Sequence, residues 1–314
     1  MTADPAFRAD VLAGLAAPIP AVPARWLYDR RGSELFEEIT RLPEYYPTRT
    51  ETAMLERYSG DFAAMFAPGA AVVEFGSGSS AKTPILLRAV APVAYVPIDI
   101  SGDFLRESAD ALRAEFPGLP IHPVEADFMR RLDLPGEIAE APRLGFFPGS
   151  TIGNFVARSA VDLLRAMKET LGEGSRLLIG MDRIKDVDVL LAAYDDAAGV
   201  TARFNLNLLH RINAELDGDI PVEAFRHRAI WNDAMSRIEM HLEAVRDAQF
   251  TVAGQSFSFR AGETIHTENS HKYGYRDSRL MLRAAGWGVI HEWIDEKEWF
   301  SIILAEAEPP RFAP

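Results

Sequence analysis

The chain has 314 residues, 48% hydrophobic and 25% charged, with a mean hydropathy of −0.06, which suits a globular chain of one large or two ordinary domains. A formal net charge of −13 and no Lys/Arg run exclude nonspecific nucleic-acid binding, which depends on a basic surface. With no cysteine, disulfides, thiolate metal sites and cysteine nucleophiles are excluded together.

No apolar run reaches the roughly 18 residues of a membrane span. Residues 1–10 lack a basic segment followed by an apolar one, so no secretory signal and a cytoplasmic location are expected. From there, Ala16-Ala-Pro-Ile-Pro-Ala-Val-Pro23 reads as an extended, proline-stiffened lead-in, residues 33–42 are amphipathic, and Leu42-Pro-Glu-Tyr-Tyr-Pro47 is turn-rich. A helix over 50–66 leads to the Pro68-Gly69 turn. Strand patterns over 71–75, 94–98, 121–125, 143–147 and 176–180 then alternate with helical ones over 81–90, 102–116 and 159–171, as parallel βαβ units do. Beyond Asp182 the alternation stops. Helices over 187–199 and 200–216 precede strands over 237–244, 249–252 and 256–259, the last two joined by a Gly254-Gln255 turn. A helix over 276–285 closed by Gly286, and strands over 288–294 and 299–305 around Asp295-Glu-Lys-Glu298, end the chain.

The first strand runs into Glu74-Phe-Gly-Ser-Gly78, followed by Ser79, Ser80, Ala81 and Lys82. Gly76 and Gly78 allow a tight turn and a close approach of backbone to ligand. A dinucleotide fingerprint has a third glycine, and here position 81 is alanine. With Glu74 inside the strand, the turn resembles the first motif of S-adenosylmethionine (SAM)-dependent methyltransferases instead. Asp99 ends the second strand, 21 residues after Gly78, where a carboxylate accepts both ribose hydroxyls; capping the next helix is the alternative. After the third strand, Asp127 suits the adenine amino group and Phe128 the ring, or Asp127 is a loop acid on the surface. Lys82 either meets the cofactor carboxylate or faces solvent. The fourth strand enters Pro148-Gly-Ser-Thr-Ile-Gly-Asn-Phe155, where the amide of Asn154 suits the amine or carboxylate of an amino acid, or only steadies a turn. No H-E-x-x-H spacing appears and Gly76-Ser-Gly-Ser-Ser80 is not a nucleophile elbow, so neither a metal site nor a serine nucleophile is expected.

These blocks, with Leu27-Tyr-Asp-Arg-Arg-Gly-Ser-Glu-Leu-Phe36, Thr40-Arg-Leu-Pro-Glu-Tyr-Tyr-Pro-Thr-Arg49, Ile238-Glu-Met-His-Leu242 and Ile265-His-Thr-Glu-Asn-Ser-His-Lys-Tyr273, span nearly the whole chain in order. Together they resemble the histidine-specific SAM-dependent methyltransferase family, whose best-known members make the trimethylated histidine of the ergothioneine pathway. The resemblance implies an α/β, Rossmann-like sheet over residues 56–200 and 275–314, and an α+β substrate-binding domain from residues 1–55 and 201–274. It implies SAM as methyl donor, no metal, and a monomer acting on L-histidine. Gly76, Lys82, Asp99, Asp127 and Phe128 match cofactor positions, and Glu74 and Gly78 of the glycine turn are read as cofactor residues with them. Asn154 and Tyr194 would hold the substrate carboxylate, with Tyr28 and the Gly149 turn near the α-amine. Tyr45, Met240, Glu268 and Ser270 would line the side-chain pocket.

A carboxylate such as Glu268 is a suitable partner for imidazole, and Met240 an adaptable apolar wall. Taken singly, the tyrosines and Met240 read equally as packing residues and Glu268 as a loop acid. Other readings of the chain are Nα-methylation of another amino acid such as tryptophan or of a histidine derivative, a nicotinamide-dependent oxidoreductase, and a catalytically silent SAM-binding module.

Overall fold

The computed structural model describes residues 4–66, 68–78 and 82–309. Ser79, Ser80 and Ala81, which close the glycine loop and include the expected start of its helix, lie outside the described residues. Four helices come first: α1 (Pro5–Leu15), α2 (Arg30–Thr40), α3 (Tyr46–Arg57) and α4 (Ser59–Met65). The alternating part holds β1 (Ala71–Phe75), α5 (Thr83–Val90), β2 (Ala94–Asp99), α6 (Gly102–Glu115), β3 (Val124–Glu125), β4 (Arg143–Phe147), α7 (Ala157–Leu171) and β5 (Arg176–Asp182). Next come α8 (Val187–Tyr194), α9 (Val200–Glu215), β6 (Phe225–Asn232), β7 (Arg237–Ala244), β8 (Ala248–Val252), β9 (Gln255–Phe259) and β10 (Thr264–His271). The chain ends in α10 (Tyr275–Ala284), β11 (Trp287–Ile294) and β12 (Phe300–Ala307).

The chain divides into two compact units, Met1–Tyr46 with Lys185–Ser270 and Pro47–Ile184 with His271–Pro314. Both are discontinuous. The boundaries fall at 46/47, 184/185 and 270/271, whereas the sequence reading put them at 55/56, 200/201 and 274/275. Two features account for the shift. α3 carries Glu51, whose carboxylate is bonded to the turn after β4, so α3 goes with the sheet. α8 packs on β6 and β7, so it goes with the other unit.

In the Pro47–Ile184/His271–Pro314 unit, the described strands form one seven-stranded sheet in the order β11-β12-β5-β4-β1-β2-β3. β1 to β5 are parallel, and β12 enters antiparallel between β5 and β11. β1 lies between β2 and β4, so the strand order reverses there and opens the crevice in which open α/β sheets bind ligands. Side-chain alternation supplies both faces. Ala71, Val73, Phe75, Phe147, Leu177 and Ile179 pack with residues of α7 and α10, while Val72, Tyr95, Leu144, Phe146 and Leu178 pack with residues of α3, α4 and α5.

Three expected elements here differ. The single helix over 50–66 is two, because Tyr58 leaves helical geometry (φ −100°, ψ 11°) ahead of Ser59-Gly60. The third strand is only Val124–Glu125, with an isolated bridge from Ile121 to Tyr95, because Pro120 and Pro123 offer no ladder N–H. The helix after the glycine loop begins at Thr83.

In the other unit, β10, β7 and β6 form a three-stranded sheet and β8–β9 a hairpin. Its helical side packs Phe7 against Trp26 at 4.9 Å, with the Arg211 guanidinium 4.4 Å from the Phe7 ring centre. The lead-in joins the sheet: Ala21 bridges His266, and the Val22 N–H donates to the His266 carbonyl at 2.9 Å. The hairpin turns at Ala253-Gly254, both at positive φ (49° and 79°), one residue earlier than expected. The helix expected over 187–199 ends at Tyr194, because the Asp196 carboxylate caps α9 by accepting the Val200 and Thr201 N–H groups at 2.9 and 2.7 Å. β6 and β10 were not expected as strands.

Candidate active site

The cofactor positions all lie in the Pro47–Ile184/His271–Pro314 unit. β1 delivers the glycine turn, with Gly76 at φ +68° and Gly78 at φ +49°. The N–H groups of Gly76 and Ser77 donate to the Ile98 carbonyl at 2.8 and 3.1 Å, and the Gly78 N–H donates to the Asp99 carboxylate at 3.0 Å. The other Asp99 oxygen accepts from the Ser101 N–H at 2.9 Å. Asp99 thus steadies the loop rather than capping α6, whose N-cap is Ser101. Asp127 accepts the Met129 N–H at 3.0 Å. Phe128 packs between Phe75 and Phe147 at 6.4 and 6.0 Å, and a Cβ at Gly76 would stand 3.4 Å from its ring. The glycine lets the Phe128 ring pack against the turn, where a side chain would press on it.

Two acids behave unlike the others. Glu74 is 2% exposed, and one of its oxygens accepts the Thr83 hydroxyl at 2.7 Å and the Tyr95 hydroxyl at 2.6 Å. Its carboxylate braces α5 and β2. Burial, offset only in part by those hydrogen bonds, pushes its pKa up to about 7. Glu51, which the sequence reading passed over, is bonded to the Gly149 N–H and paired with Lys82.

The turn after β4 is tightly tied. Gly149 and Ser150 have positive φ (80° and 55°). The Thr151 hydroxyl donates to the Pro148 carbonyl, the Gly153 N–H to the Ser150 carbonyl, and the Asp182 N–H to the Ser150 hydroxyl. From the segment after β10, His271 Nδ1 donates to the Gly153 carbonyl at 2.8 Å and the Tyr273 hydroxyl to the Ile152 carbonyl at 3.2 Å. Lys272 and Asp182 form a fully buried ion pair at 2.7 Å. Half-buried Asn154 ends the short 3-10 turn that these bonds hold.

The remaining positions gather in the other unit. The Tyr28 hydroxyl donates to Glu268 Oε1 at 2.9 Å, and the hydroxyls of Tyr194 and Ser270 are 2.6 Å apart. Edge-on contacts link Tyr28 to Phe36 (5.6 Å), Phe36 to Tyr45 (6.2 Å) and Tyr45 to Tyr194 (6.1 Å). Buried Met240 is on β7, beside β10, and its carbonyl accepts the Thr267 hydroxyl at 3.0 Å. Desolvation, with the Glu268 charge next, holds the Tyr28 phenol well above its ordinary pKa. Tyr194 is fixed through its carbonyl, which accepts His227 Nε2 at 2.8 Å; Asn205 donates to His227 Nδ1 at 3.0 Å. Burial keeps His227 below the usual histidine pKa, in the neutral form these bonds require.

Behind Glu268 lies a second layer. His266 Nε2 donates to the Glu268 carbonyl at 3.1 Å, and the His266 ring stacks on His241 at 4.8 Å. His241 Nε2 donates to Glu239 at 3.1 Å. No metal site was expected, yet Glu239, His241 and His266 bring ligand-type atoms within 4.8 Å of one another. Sequence spacing missed this because the residues lie on two strands. Glu239 Oε1 already accepts from Arg237 and Asn232, and Oε2 from His241. Among the described residues no helix is long and apolar enough to cross a membrane.

The sheet order, its antiparallel last strand and the glycine turn at the switch point are those of a SAM-dependent methyltransferase. Residues 7–307 match the model of a family described as histidine-specific methyltransferase, SAM-dependent. The chain belongs to that family, and SAM is its methyl donor. It is 42% identical to the histidine N-alpha-methyltransferase of Mycolicibacterium smegmatis over 308 residues, covering 96% of this chain and 94% of that protein. Identity to the protein of the same name from Mycobacterium tuberculosis is 41%, with the same coverage. The ergothioneine biosynthesis protein 1 of Neurospora crassa is 29% identical over 91% of this chain, which spans 33% of that longer protein.

Proposed function

We propose that this chain methylates the α-amine of L-histidine, through to the trimethylated product, as a step of ergothioneine biosynthesis. The observation that carries the reading is the two pairs Tyr28–Glu268 and Tyr194–Ser270, whose acid and serine share strand β10, with Met240 on the neighbouring strand. It combines an anion for an imidazole N–H, a hydroxyl that both donates and accepts, and an apolar wall. Gly76, Gly78, Lys82, Asp99, Asp127 and Phe128 serve the cofactor, and Glu74 braces that site from inside the fold.

When bound, SAM supplies a sulfonium methyl group for in-line displacement by an amine lone pair. The chain's own task is alignment and exclusion of water. Glu268, oriented by Tyr28, accepts the imidazole N–H. Tyr194 and Asn154 hold the substrate carboxylate, and the Gly149 turn meets the α-amine. Tyr28 keeps its proton because its pKa is raised, so it orients Glu268 and is not a base. The amine sheds its proton to bulk solvent before it docks; its reference pKa, near ~8 at a peptide terminus, is somewhat higher in a free amino acid.

The test is mass spectrometry of an equimolar amino-acid mixture incubated with SAM and the purified chain. Gain of three methyl groups on histidine alone is the expected result. A gain on tryptophan or another amino acid in place of histidine overturns the substrate, and no gain on any of them overturns the reaction.

A further inference from the structure

We propose that Glu51 takes the α-ammonium of SAM, completing a two-ended receptor for its amino-acid end beside Lys82, which the sequence already places at the α-carboxylate. The proposal rests on SAM being the methyl donor and deepens that reading. Its starting point is a carboxylate in an expensive place. Glu51 is 1% exposed on α3, and an ionised acid at that depth persists only when compensated. The compensation is built from several elements. Both oxygens accept the Gly149 N–H, at 3.0 and 2.8 Å, directly after β4. Oε2 is also paired with the Lys82 ammonium, at the N-terminus of α5. In β5, position 180 is glycine, where a Cβ would stand 2.0 Å from Glu51 Oε1. A Cβ at Gly149 would lie 3.6 Å from Lys82 Nζ, so this backbone passes directly under the ammonium.

These groups sit after β4, in β5 and after the glycine turn of β1, the carboxyl side of the sheet where the donor binds. The amino-acid end of SAM carries one ammonium and one carboxylate on a single carbon. Recognising both takes one anion and one cation side by side, and Glu51 with Lys82 is that pair. Lys82 has three N–H donors on a flexible stem, so it can turn to a ligand carboxylate while Glu51, fixed by the Gly149 N–H, keeps its place for the ligand ammonium.

Calorimetric titration of the full-length chain tests this with S-adenosylhomocysteine and two analogues, one lacking only the α-amine and one only the carboxylate. Glu51→Gln keeps an oxygen for the Gly149 N–H and removes the charge. It is expected to weaken S-adenosylhomocysteine and the carboxylate-free analogue by about 10- to 100-fold, the range of a hydrogen bond to a charged group, and to leave the amine-free analogue unchanged. Lys82→Met should show the mirror pattern, sparing only the carboxylate-free analogue. Unchanged S-adenosylhomocysteine binding in Glu51→Gln, or an equal loss for all three ligands, overturns the proposal. If the unmodified chain binds neither SAM nor S-adenosylhomocysteine, the donor assignment itself fails, and the proposal falls with it.

Discussion

Glu74 shows how one residue can tie stability to pH. In an unfolded chain its carboxyl titrates near ~4.3; in the fold its pKa is about 7. The folded state therefore holds the proton more tightly, and stability is full below the unfolded pKa and falls as pH rises through about 7. The loss is on the order of 4 kcal/mol at alkaline pH. Glu74→Gln, which can still accept from Thr83 and Tyr95, is expected to raise Tm at pH 8.5 by several degrees, with the gain vanishing near pH 4; calorimetry across that range checks it. At Glu268 the effect is on substrate. Glu268→Ala leaves the Tyr28 hydroxyl without its acceptor and should raise KM for histidine at least tenfold while SAM affinity holds. Steady-state kinetics with parallel SAM titrations decide it, and unchanged histidine kinetics would count against the role. Glu268 and Ser270 are legible as residue types in the sequence, but not their partners. Tyr28 and Glu268 are 240 positions apart, and no local pattern records such a pairing.

At the scale of elements, β10 makes the same point. Thr264–His271 contains one large apolar residue, Ile265, so it shows no period-two pattern, yet Ile265, Thr267, Glu268, Ser270 and His271 are all buried. Thr267, Glu268, Ser270 and His271 go inward because each finds a partner, a property of neighbouring elements and not of the segment. β7 carries a similar device. Burial alone would raise the Glu239 pKa, but hydrogen bonds from Arg237, Asn232 and His241 bring it down to about 2. This depressed group stabilises the fold above its unfolded pKa, and the contribution is lost as pH falls from about 4.5 through about 2. Glu239→Gln should cost about 2–3 kcal/mol at pH 7 and progressively less toward pH 2, read from urea unfolding at each pH. The turn that presents Asn154 depends on Gly153, where a Cβ would lie 2.9 Å from the His271 carbonyl oxygen. Gly153→Ala is expected to destabilise by about 1–3 kcal/mol and to raise KM for histidine, because backbone atoms cannot retreat as a flexible side chain can.

At the scale of the whole molecule, the donor residues and the Tyr28–Glu268 cluster belong to different units, and the chain passes between the units at 46/47, 184/185 and 270/271. Hydrogen exchange should separate their roles. SAM is expected to protect amides around 74–78 and 98–101, and histidine those of 265–271; histidine protection confined to 74–101 would contradict the assignment. By itself, the sequence determined the parallel βαβ core, the glycine turn and the closing pair of strands, because period-two and helical patterns and positive-φ glycines are local and survive in one dimension. The family followed from blocks read in order, so donor and acceptor chemistry were legible too. Tertiary structure alone decided that Glu74 faces Thr83 and Tyr95, that Glu51 joins Lys82 and the Gly149 turn, that His241 stacks on His266, and where the units divide. The physical reason is common to all four. A buried polar group is stable only with its partner, and the partner is chosen by folding across elements, not by proximity along the chain.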